Sequence, residues 1–274
     1  MSSTTLSPPA QKREELADKL AQGVAALRDS EEFKRYLNVA ARFHSYSFGN
    51  QILIGMQCPD ASRVAGYRTW QGMGRQVRKG EKGIRILAPR PWKEHRDGCV
   101  RGKCDCPDSG VGFATVSVFD VSQTDGDDLP AITTDLAGDD AGLWAGLASI
   151  TSEEQLELDT DPDHNHGGAH GYYAPRDARI WVDMKRPPAH RAATLTHELA
   201  HYFTNDDKPC REEGEIVAES VAYIVLGHFG IDAGDYSFGY LASWDTDDAK
   251  QFKAQLGQIQ KTAATIIDRL EEAN

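Results

Sequence analysis

The sequence predicts an α+β protein of two domains. Apolar residues recur at helical spacing near both ends of the chain, and alternating β-branched stretches lie in residues 66–121. The sign of the charge also changes between the two halves. At 274 residues the chain is long enough for two domains of ordinary size, each with its own hydrophobic core.

Charge separates the two predicted domains. Residues 1–121 carry 19 Lys and Arg against 13 Asp and Glu, a net +6, whereas residues 122–274 carry 11 against 29, a net −18. Between residues 63 and 103, twelve basic residues stand against three acidic ones, a net +9. Such a segment attracts polyanions, so the two domains are expected to have different partners.

Composition excludes several classes of protein. The apolar fraction of 40% is ordinary for a globular protein, and no apolar run approaches the roughly 18 residues of a membrane helix. We therefore expect no membrane partner. The N-terminus lacks the basic and apolar regions of a secretory signal, which predicts a cytoplasmic protein. Five scattered cysteines indicate reduced thiols or ligands rather than a disulfide framework.

The first half predicts helices followed by a small sheet. After about nine residues expected to be disordered, apolar residues recur at helical spacing through residues 16–27 and 33–41. From Gly66 to Pro89 the sequence contains short β-branched stretches that are interrupted by glycines. This pattern indicates short strands with tight turns. The alternating segment 111–121 predicts another strand, which we expect to pair with residues 84–87. The predicted N-terminal domain spans residues 10–125.

An acidic, turn-rich stretch at residues 126–140 predicts the interdomain linker. The second domain, residues 141–274, is expected to contain a β-hairpin at GYYAPRDARIWVD. A helix then opens at Pro187 and Pro188, since proline is tolerated only in the first turn. Two further helices follow, one ending near Gly230 and one in the last thirty residues.

The pentapeptide His197-Glu198-Leu199-Ala200-His201 is an HExxH motif on the helix that opens at Pro187. Residues four apart lie on the same face of a helix, so both imidazoles can reach one zinc ion. Glu198 lies about 100° around the helix from His197, where its carboxylate can take a proton from a water molecule. The motif predicts a zinc metallopeptidase with Glu198 as general base, acting on a protein or peptide substrate.

A third ligand is expected from the following helix, because two histidines leave zinc with too few protein ligands. Glu215 is the predicted ligand, fourteen residues after His201. Glu219 lies one turn later and could accept a hydrogen bond from a liganding imidazole. The roles of Glu215 and Glu219 could also be exchanged.

The basic segment interleaves cations with aromatic rings, as in proteins that bind single-stranded DNA. Cations follow the phosphates there, and rings stack on exposed bases. The candidate DNA-binding residues are Tyr67, Arg68, Trp70, Arg75, Arg78, Lys79, Lys82 and Arg85. The alternative is that the aromatic residues are core residues and the basic run is a solvated face.

The glycine-rich loop between the predicted strands contains a second candidate metal site. His95, Cys99, Cys104 and Cys106 are residue types that bind zinc, but their spacing matches no standard zinc knuckle or ribbon. A flexible loop is the alternative.

Both halves resemble one known family. The stretches SYSFGNQILIGMQCPDASRVAGYRTWQGMGRQVRKGEKGIRILAP and VSVFDVSQTDGDDLP resemble the N-terminal domain of ArdC-type antirestriction proteins of plasmids and other mobile elements. HELAH and GEIVAES are similar to the metallopeptidase domain of that family, which is related to ImmA/IrrE-type peptidases. The resemblance implies a small, basic α+β domain that binds single-stranded DNA. It also implies a zincin-like, gluzincin-like domain with zinc on His197, His201 and Glu215 and with Glu198 catalytic.

Two functions are compatible with this sequence. One is a DNA-targeted peptidase whose DNA binding places it near a protein substrate. The other is a protection protein that coats single-stranded DNA, with a metal site that is only structural.

Overall fold

The computed structural model describes residues 8–93, 108–129, 140, 142–164, 169–204, 212–231 and 249–272. The helices are α1 Pro8–Ala26, α2 Ser30–Arg42, α3 Phe48–Gln57, α4 Tyr67–Gly72, α5 Leu143–Glu153, α6 Pro188–Phe203, α7 Glu212–His228 and α8 Ala249–Glu272. The strands are β1 Val64–Gly66, β2 Arg75–Val77, β3 Ile84–Lys93, β4 Asp108–Asp120, β5 Thr124–Gly126, β6 Glu157–Asp159, β7 Gly171–Ala174 and β8 Arg179–Val182. Helices and strands are mixed along the chain, as predicted.

The chain forms two compact units. The first comprises residues 1–23 and 52–128, and the second comprises residues 24–51 and 129–274. The predicted domains differ from this division mainly at residues 24–51, which precede most of the first unit in sequence but group with the second. The division passes through α1 and α3.

The first unit contains two antiparallel sheets. One has the strand order β1-β4-β3, and the other pairs β2 with β5. The predicted pairing of residues 84–87 with residues 111–121 is confirmed, because Ile84 lies opposite Val118 and Leu87 opposite Thr115. Ile84, Ile86 and Val118 are buried, as the alternation of the strands requires.

Asp120 holds the end of β4 to the preceding loop. Its buried carboxylate accepts hydrogen bonds from the backbone N–H groups of Ser62 at 2.8 Å, Arg63 at 3.0 Å and Ser122 at 2.9 Å. Gln123 accepts a bond from the backbone N–H of Asp120 and completes a capping box over a short 3-10 turn. Burial alone would raise the pKa of Asp120, but these hydrogen bonds lower it overall.

The second unit packs helices beside a three-stranded sheet of order β6-β8-β7. The predicted hairpin is confirmed as the antiparallel pair β7 and β8. Helix α7 packs against α2, α6 and α8, and its residues Val221, Ala222 and Val225 are fully buried. The sheet and α6 are in contact through β7 and β8, which sets the position of the HExxH residues.

Some elements differ from the sequence expectation. Helix α4 lies inside the region predicted as strands, because the fully buried ring of Trp70 anchors one short turn of helix there. Helix α1 begins at Pro8, within the segment expected to be disordered, since proline is compatible with the first turn of a helix. Helices α3 and α5 and strand β6 were not anticipated. Most of the predicted linker lies outside the described residues.

Candidate metal centre

Helix α6 presents the HExxH residues from a firmly packed backbone. Leu195 and Leu199 are fully buried on its inner face. At the end of α6, the hydroxyl of Tyr202 donates to Glu154 at 2.7 Å, which joins α6 to the end of α5. These contacts fix the rotation of α6 about its own axis. They therefore also fix the directions in which its functional side chains point.

The two motif histidines converge on one point with Glu215 of α7. Nε2 of His197 lies 3.0 Å from Nε2 of His201. Oε2 of Glu215 lies 3.3 Å from Nε2 of His197, and Oε1 lies 3.5 Å from Nε2 of His201. Ligand atoms bound at about 2.0–2.2 Å to a tetrahedral ion lie about 3.3–3.6 Å apart. Two imidazoles and one carboxylate at these separations therefore fit a divalent cation.

The pKa values of the residues in this cluster reflect the short distances between their side chains. Hydrogen bonds from His197 and His201 hold the pKa of the Glu215 carboxyl far below its usual range. Burial alone would lower the pKa of His197, but its hydrogen bond with Glu215 and the nearby carboxylates raise it overall. Opposite charges thus stabilise one another where the ligand atoms meet.

Glu198 lies beside the cluster in a buried position. Its side chain is hydrogen-bonded to the backbone of Tyr173 on β7, and burial raises the pKa of its carboxyl. A carboxylate with a raised pKa is a stronger base, which suits a group that accepts a proton from water.

Gly171 lets β7 approach Glu198 this closely. A Cβ atom at position 171 would lie 2.4 Å from Cγ2 of Thr194, 3.0 Å from the carbonyl oxygen of Trp181 and 3.2 Å from Oε1 of Glu198. The first of these distances is closer than real Cβ atoms come to a neighbour. Sequence reasoning missed Gly171, because nothing in its local sequence reveals a contact with residues 194–198.

Glu219 lies one turn after Glu215 on α7 and is partly buried, and burial raises the pKa of its carboxyl. Glu219 is close enough to His197 to influence its charge state. The three ligand atoms that converge in the structure belong to His197, His201 and Glu215. The geometry therefore favours Glu215 over Glu219 as the ligand.

The candidate DNA-binding residues of the first unit fall into two groups. Tyr67, Arg68, Arg78, Lys79, Lys82 and Arg85 are exposed. Arg78 is ion-paired with Glu81 at 3.0 Å and with Asp125 at 3.3 Å. The charge of Arg78, in the turn between β2 and β3, is thus partly balanced by neighbouring carboxylates.

The structure corrects the expectation for two residues. Trp70 is fully buried, and its indole N–H donates to the carbonyl oxygen of Phe119 at 2.8 Å, so its ring cannot stack on a base. Arg75 donates to the side chain and the backbone carbonyl of Thr124 and to the carbonyls of Gly126 and Asp127. Its guanidinium therefore links β2 to β5.

A shallow groove of about 690 Å³ runs beside the exposed cations. It is lined by Tyr67, Phe119, Asp125 and the segment 76–81, which includes Arg78 and Lys79.

Sequence reasoning missed Phe113, a large exposed aromatic residue of β4 with a relative exposure of 58%. The alternation along β4 could have indicated it, since Phe113 and Val111 lie on one strand face.

The predicted second metal site, His95 with Cys99, Cys104 and Cys106, lies outside the described residues. Within the described segments, no helix combines the length and apolar character that a membrane span requires.

Comparisons with known proteins bear on both units. Residues 11–110 match the family model of the N-terminal domain of anti-restriction factor ArdC. An uncharacterized protein of Bacillus anthracis, pXO2-81, is 23% identical over 94% of this chain. This chain spans about half of that relative's length, 51%.

Two solved structures share the fold. The Mn(II)-bound crystal structure of the antirestriction ArdC protein from plasmid R388 aligns with a TM-score of 0.55 at 19% identity, over 94% of this chain and 97% of that one. The metal-free structure of the same protein aligns with a TM-score of 0.51 at 19% identity, over 83% of this chain and 84% of that one. Their likeness extends across both units of the chain.

Proposed function

We propose that this chain, whose likeness to ArdC extends across both units, is an antirestriction protein of a mobile element that binds single-stranded DNA and carries a zinc-dependent metallopeptidase domain. The first unit is assigned to DNA and the second to proteolysis. The second unit is then a zincin-like domain of the gluzincin type, with two histidines on one helix and a glutamate on the next.

The observation that carries the peptidase assignment is the meeting of His197, His201 and Glu215 beside the buried carboxyl of Glu198. A cluster built only for stability would not need a general base next to it. Titratable groups with shifted pKa values that converge beside a helix are a recurrent mark of catalytic sites.

A zinc ion bound there would supply Lewis-acid chemistry, polarising a peptide carbonyl and acidifying water. Glu198 accepts the proton of the attacking water and passes it to the leaving amine. The hydrogen bond from the backbone of Tyr173 orients the Glu198 carboxyl for that transfer. Glu219 lies near His197 and helps to hold that imidazole in its liganding orientation.

The strand β7 supports a peptide as the substrate class. It is the edge strand of the described sheet β6-β8-β7, and it packs on α6 beside Glu198. Extended peptides can bind to proteins by aligning along the edge strand of a sheet. A peptide aligned along β7 would present its carbonyls near the side chains of the cluster.

The exposed residues of the first unit support binding of single-stranded DNA. Lys79 and Lys82 are exposed where cations can follow phosphates, and Tyr67 offers a ring with a relative exposure of 43%. Stacking of bases on aromatic rings together with cations along the backbone is the usual mode of binding single strands.

Glu198→Gln tests the peptidase assignment. With zinc-loaded full-length protein and fluorescein-labelled casein as probe, the variant should cleave about 10²- to 10⁴-fold more slowly while binding zinc and an oligonucleotide as before. Glu272→Gln, an exposed residue of α8, is the matched control. Cleavage at the wild-type rate by Glu198→Gln would overturn the assignment.

The same variant separates the two candidate functions. If plasmid transfer is protected from restriction equally well by wild type and Glu198→Gln, protection comes from coating of DNA and does not depend on proteolysis. Metal analysis of the purified protein addresses the identity of the ion, since manganese can occupy the same ligands.

A further inference from the structure

A second group of potential ligands lies in the second unit, apart from the HExxH residues. His44, His228, Asp268 and Glu271, hereafter the His44 cluster, come together where three helices end. Nε2 of His44 lies 3.4 Å from Oδ1 of Asp268 and 3.9 Å from Oε2 of Glu271. Nε2 of His228 lies 2.9 Å from Oε1 of Glu271. The two imidazole rings are 4.6 Å apart, with an angle of 77° between them.

The histidines of the His44 cluster are largely buried, and its carboxylates are exposed to solvent. The side chains of His44 and His228 are only 13% and 12% exposed, whereas those of Asp268 and Glu271 are 61% and 45% exposed. The imidazoles are therefore fixed by packing, and the carboxylates can rotate to close around an ion. Ligand atoms of His44, Asp268 and Glu271 all lie within 4.8 Å of one another, so rotation of the two exposed carboxylates would bring them to the separations that a bound ion requires.

The orientation of His228 fits a ligand. Its Nδ1 lies 2.8 Å from the carbonyl oxygen of Ala41, to which it donates a hydrogen bond. That bond places the proton on Nδ1 and directs Nε2 towards Glu271. Histidines that bind metals commonly hold their second nitrogen in this way, since the bond fixes both the tautomer and the ring direction.

The ends of three helices favour a cation at this place. Helix α2 ends at Arg42, two residues before His44, α7 ends at His228, and α8 ends at Glu272. The C-terminal end of a helix carries a partial negative charge from its free carbonyls. Arg269 lies between Asp268 and Glu271 in sequence, but its guanidinium pairs with Glu153 and Glu154 of the α5 end. The cluster is thus not neutralised by the arginine of its own helix turn.

We propose that His44, His228, Asp268 and Glu271 form a second, structural zinc site that ties the end of α2 to the ends of α7 and α8. His44, Asp268 and Glu271 already converge, and His228, which contacts Glu271, would supply the fourth ligand of a closed structural site. The competing account is a latch without metal, in which His228 and His44 only pair with the carboxylates of Glu271 and Asp268.

The test uses full-length protein carrying His197→Ala and His201→Ala, so that the HExxH site cannot hold metal. After equilibration with zinc chloride and removal of excess, zinc per chain is measured by elemental analysis. Adding Asp268→Asn and Glu271→Gln should remove about one equivalent of zinc. Both substitutions preserve shape at exposed positions, so the fold is expected to survive. Adding Glu272→Gln, at an exposed position in the same turn, should remove none.

Thermal unfolding gives the second measurement. Zinc should raise the Tm of the His197→Ala, His201→Ala protein, because a ligand that binds only the folded state stabilises it. The added amide pair should abolish that rise. Equal zinc content with and without the amide pair, or a Tm that falls with the amide pair but never responds to zinc, identifies a latch without metal and overturns the proposal. The result is independent of the peptidase assignment, since the HExxH ligands are absent throughout.

Discussion

The backbone of Gly171 passes so close to Glu198 that a Cβ atom there would lie 3.2 Å from Oε1 of the carboxyl. The strand β7 and the helix α6 therefore determine together where this carboxyl points. Gly171 does not have a positive φ angle, so its backbone conformation does not require glycine. Glycine is required at this position because the space between β7 and α6 has no room for a side chain.

Gly171→Ala should impair both the site and the fold. The added methyl group meets Thr194 at 2.4 Å, so β7 must move away from α6 at a cost of about 1–3 kcal/mol. Casein cleavage should fall as Glu198 is displaced. Gly257→Ala on α8 is the control, since a Cβ there meets nothing within 4 Å, and it should stabilise the helix by about 0.5–1 kcal/mol. Urea unfolding measures both effects. Wild-type activity in Gly171→Ala would show that the close approach is dispensable.

Glu215→Gln and Glu219→Gln should differ in metal binding. Glu215 contacts both histidines, so its amide should lose zinc almost completely. Glu219 is expected to act through His197, and its amide should weaken zinc binding by about 10- to 100-fold. Isothermal titration with zinc chloride distinguishes the two variants. The opposite order of effects would make Glu219 the ligand.

Tyr67→Ala and Trp70→Ala should affect different properties of the first unit. Removing the exposed ring of Tyr67 should weaken binding of a single-stranded oligonucleotide by about 1–3 kcal/mol with little change in stability. Removing the buried ring of Trp70 should destabilise the unit by about 3–5 kcal/mol. Fluorescence anisotropy measures the DNA affinity of each variant, and urea unfolding measures its stability. Unchanged DNA affinity in Tyr67→Ala would remove this residue from the interface.

Lys79→Ala combined with Lys82→Ala should reduce the dependence of DNA affinity on salt. Each lost phosphate contact lowers the slope of log K against log salt concentration by about 0.7 for single strands. Lys253→Ala with Lys261→Ala, at exposed positions of α8, should leave the slope unchanged. Anisotropy titrations at several salt concentrations measure it. Equal slopes in the two double variants would place the contacts elsewhere.

Asp120→Ala should destabilise the first unit in a manner that depends on pH. The pKa of Asp120 is lowered in the fold, so its contribution is present above the unfolded pKa of about 3.9 and is lost as pH falls through the folded pKa. At neutral pH the loss of its hydrogen bonds should cost about 1–3 kcal/mol. The difference from wild type should shrink in strong acid, whereas the exposed Asp60→Ala should show little difference at any pH. A constant difference across pH would mean that the charge of Asp120 is not involved.

The HExxH helix and its neighbour could be predicted because local sequence determines them. Leu195 and Leu199 mark the inner face of α6, and the spacing of His197 and His201 places both imidazoles on one side. The meeting of these histidines with Glu215 follows once two helices pack together. The contact between Gly171 and Glu198 could not be predicted, since it depends on how a strand lies against a helix distant in sequence.

Aromatic residues in the first unit show a different limit of prediction from sequence. Tyr67 and Trp70 lie three residues apart in the same basic segment, yet one ring is exposed and the other fully buried. Composition alone does not distinguish a stacking ring from a core ring. Helix α3 was missed for a related reason, because its nearly uniform apolar run ILIGM shows no helical stripe.

Helix α2 lies in sequence between the two segments of the first unit but packs on α7, where Asn38 accepts a hydrogen bond from the hydroxyl of Tyr223 at 3.0 Å. A shortened gene that begins at residue 129 would therefore produce a fragment with an uncovered apolar surface on α7, prone to aggregation. The C-terminal half should therefore be produced together with residues 24–51, for example by joining them to residue 129 through a glycine-serine linker.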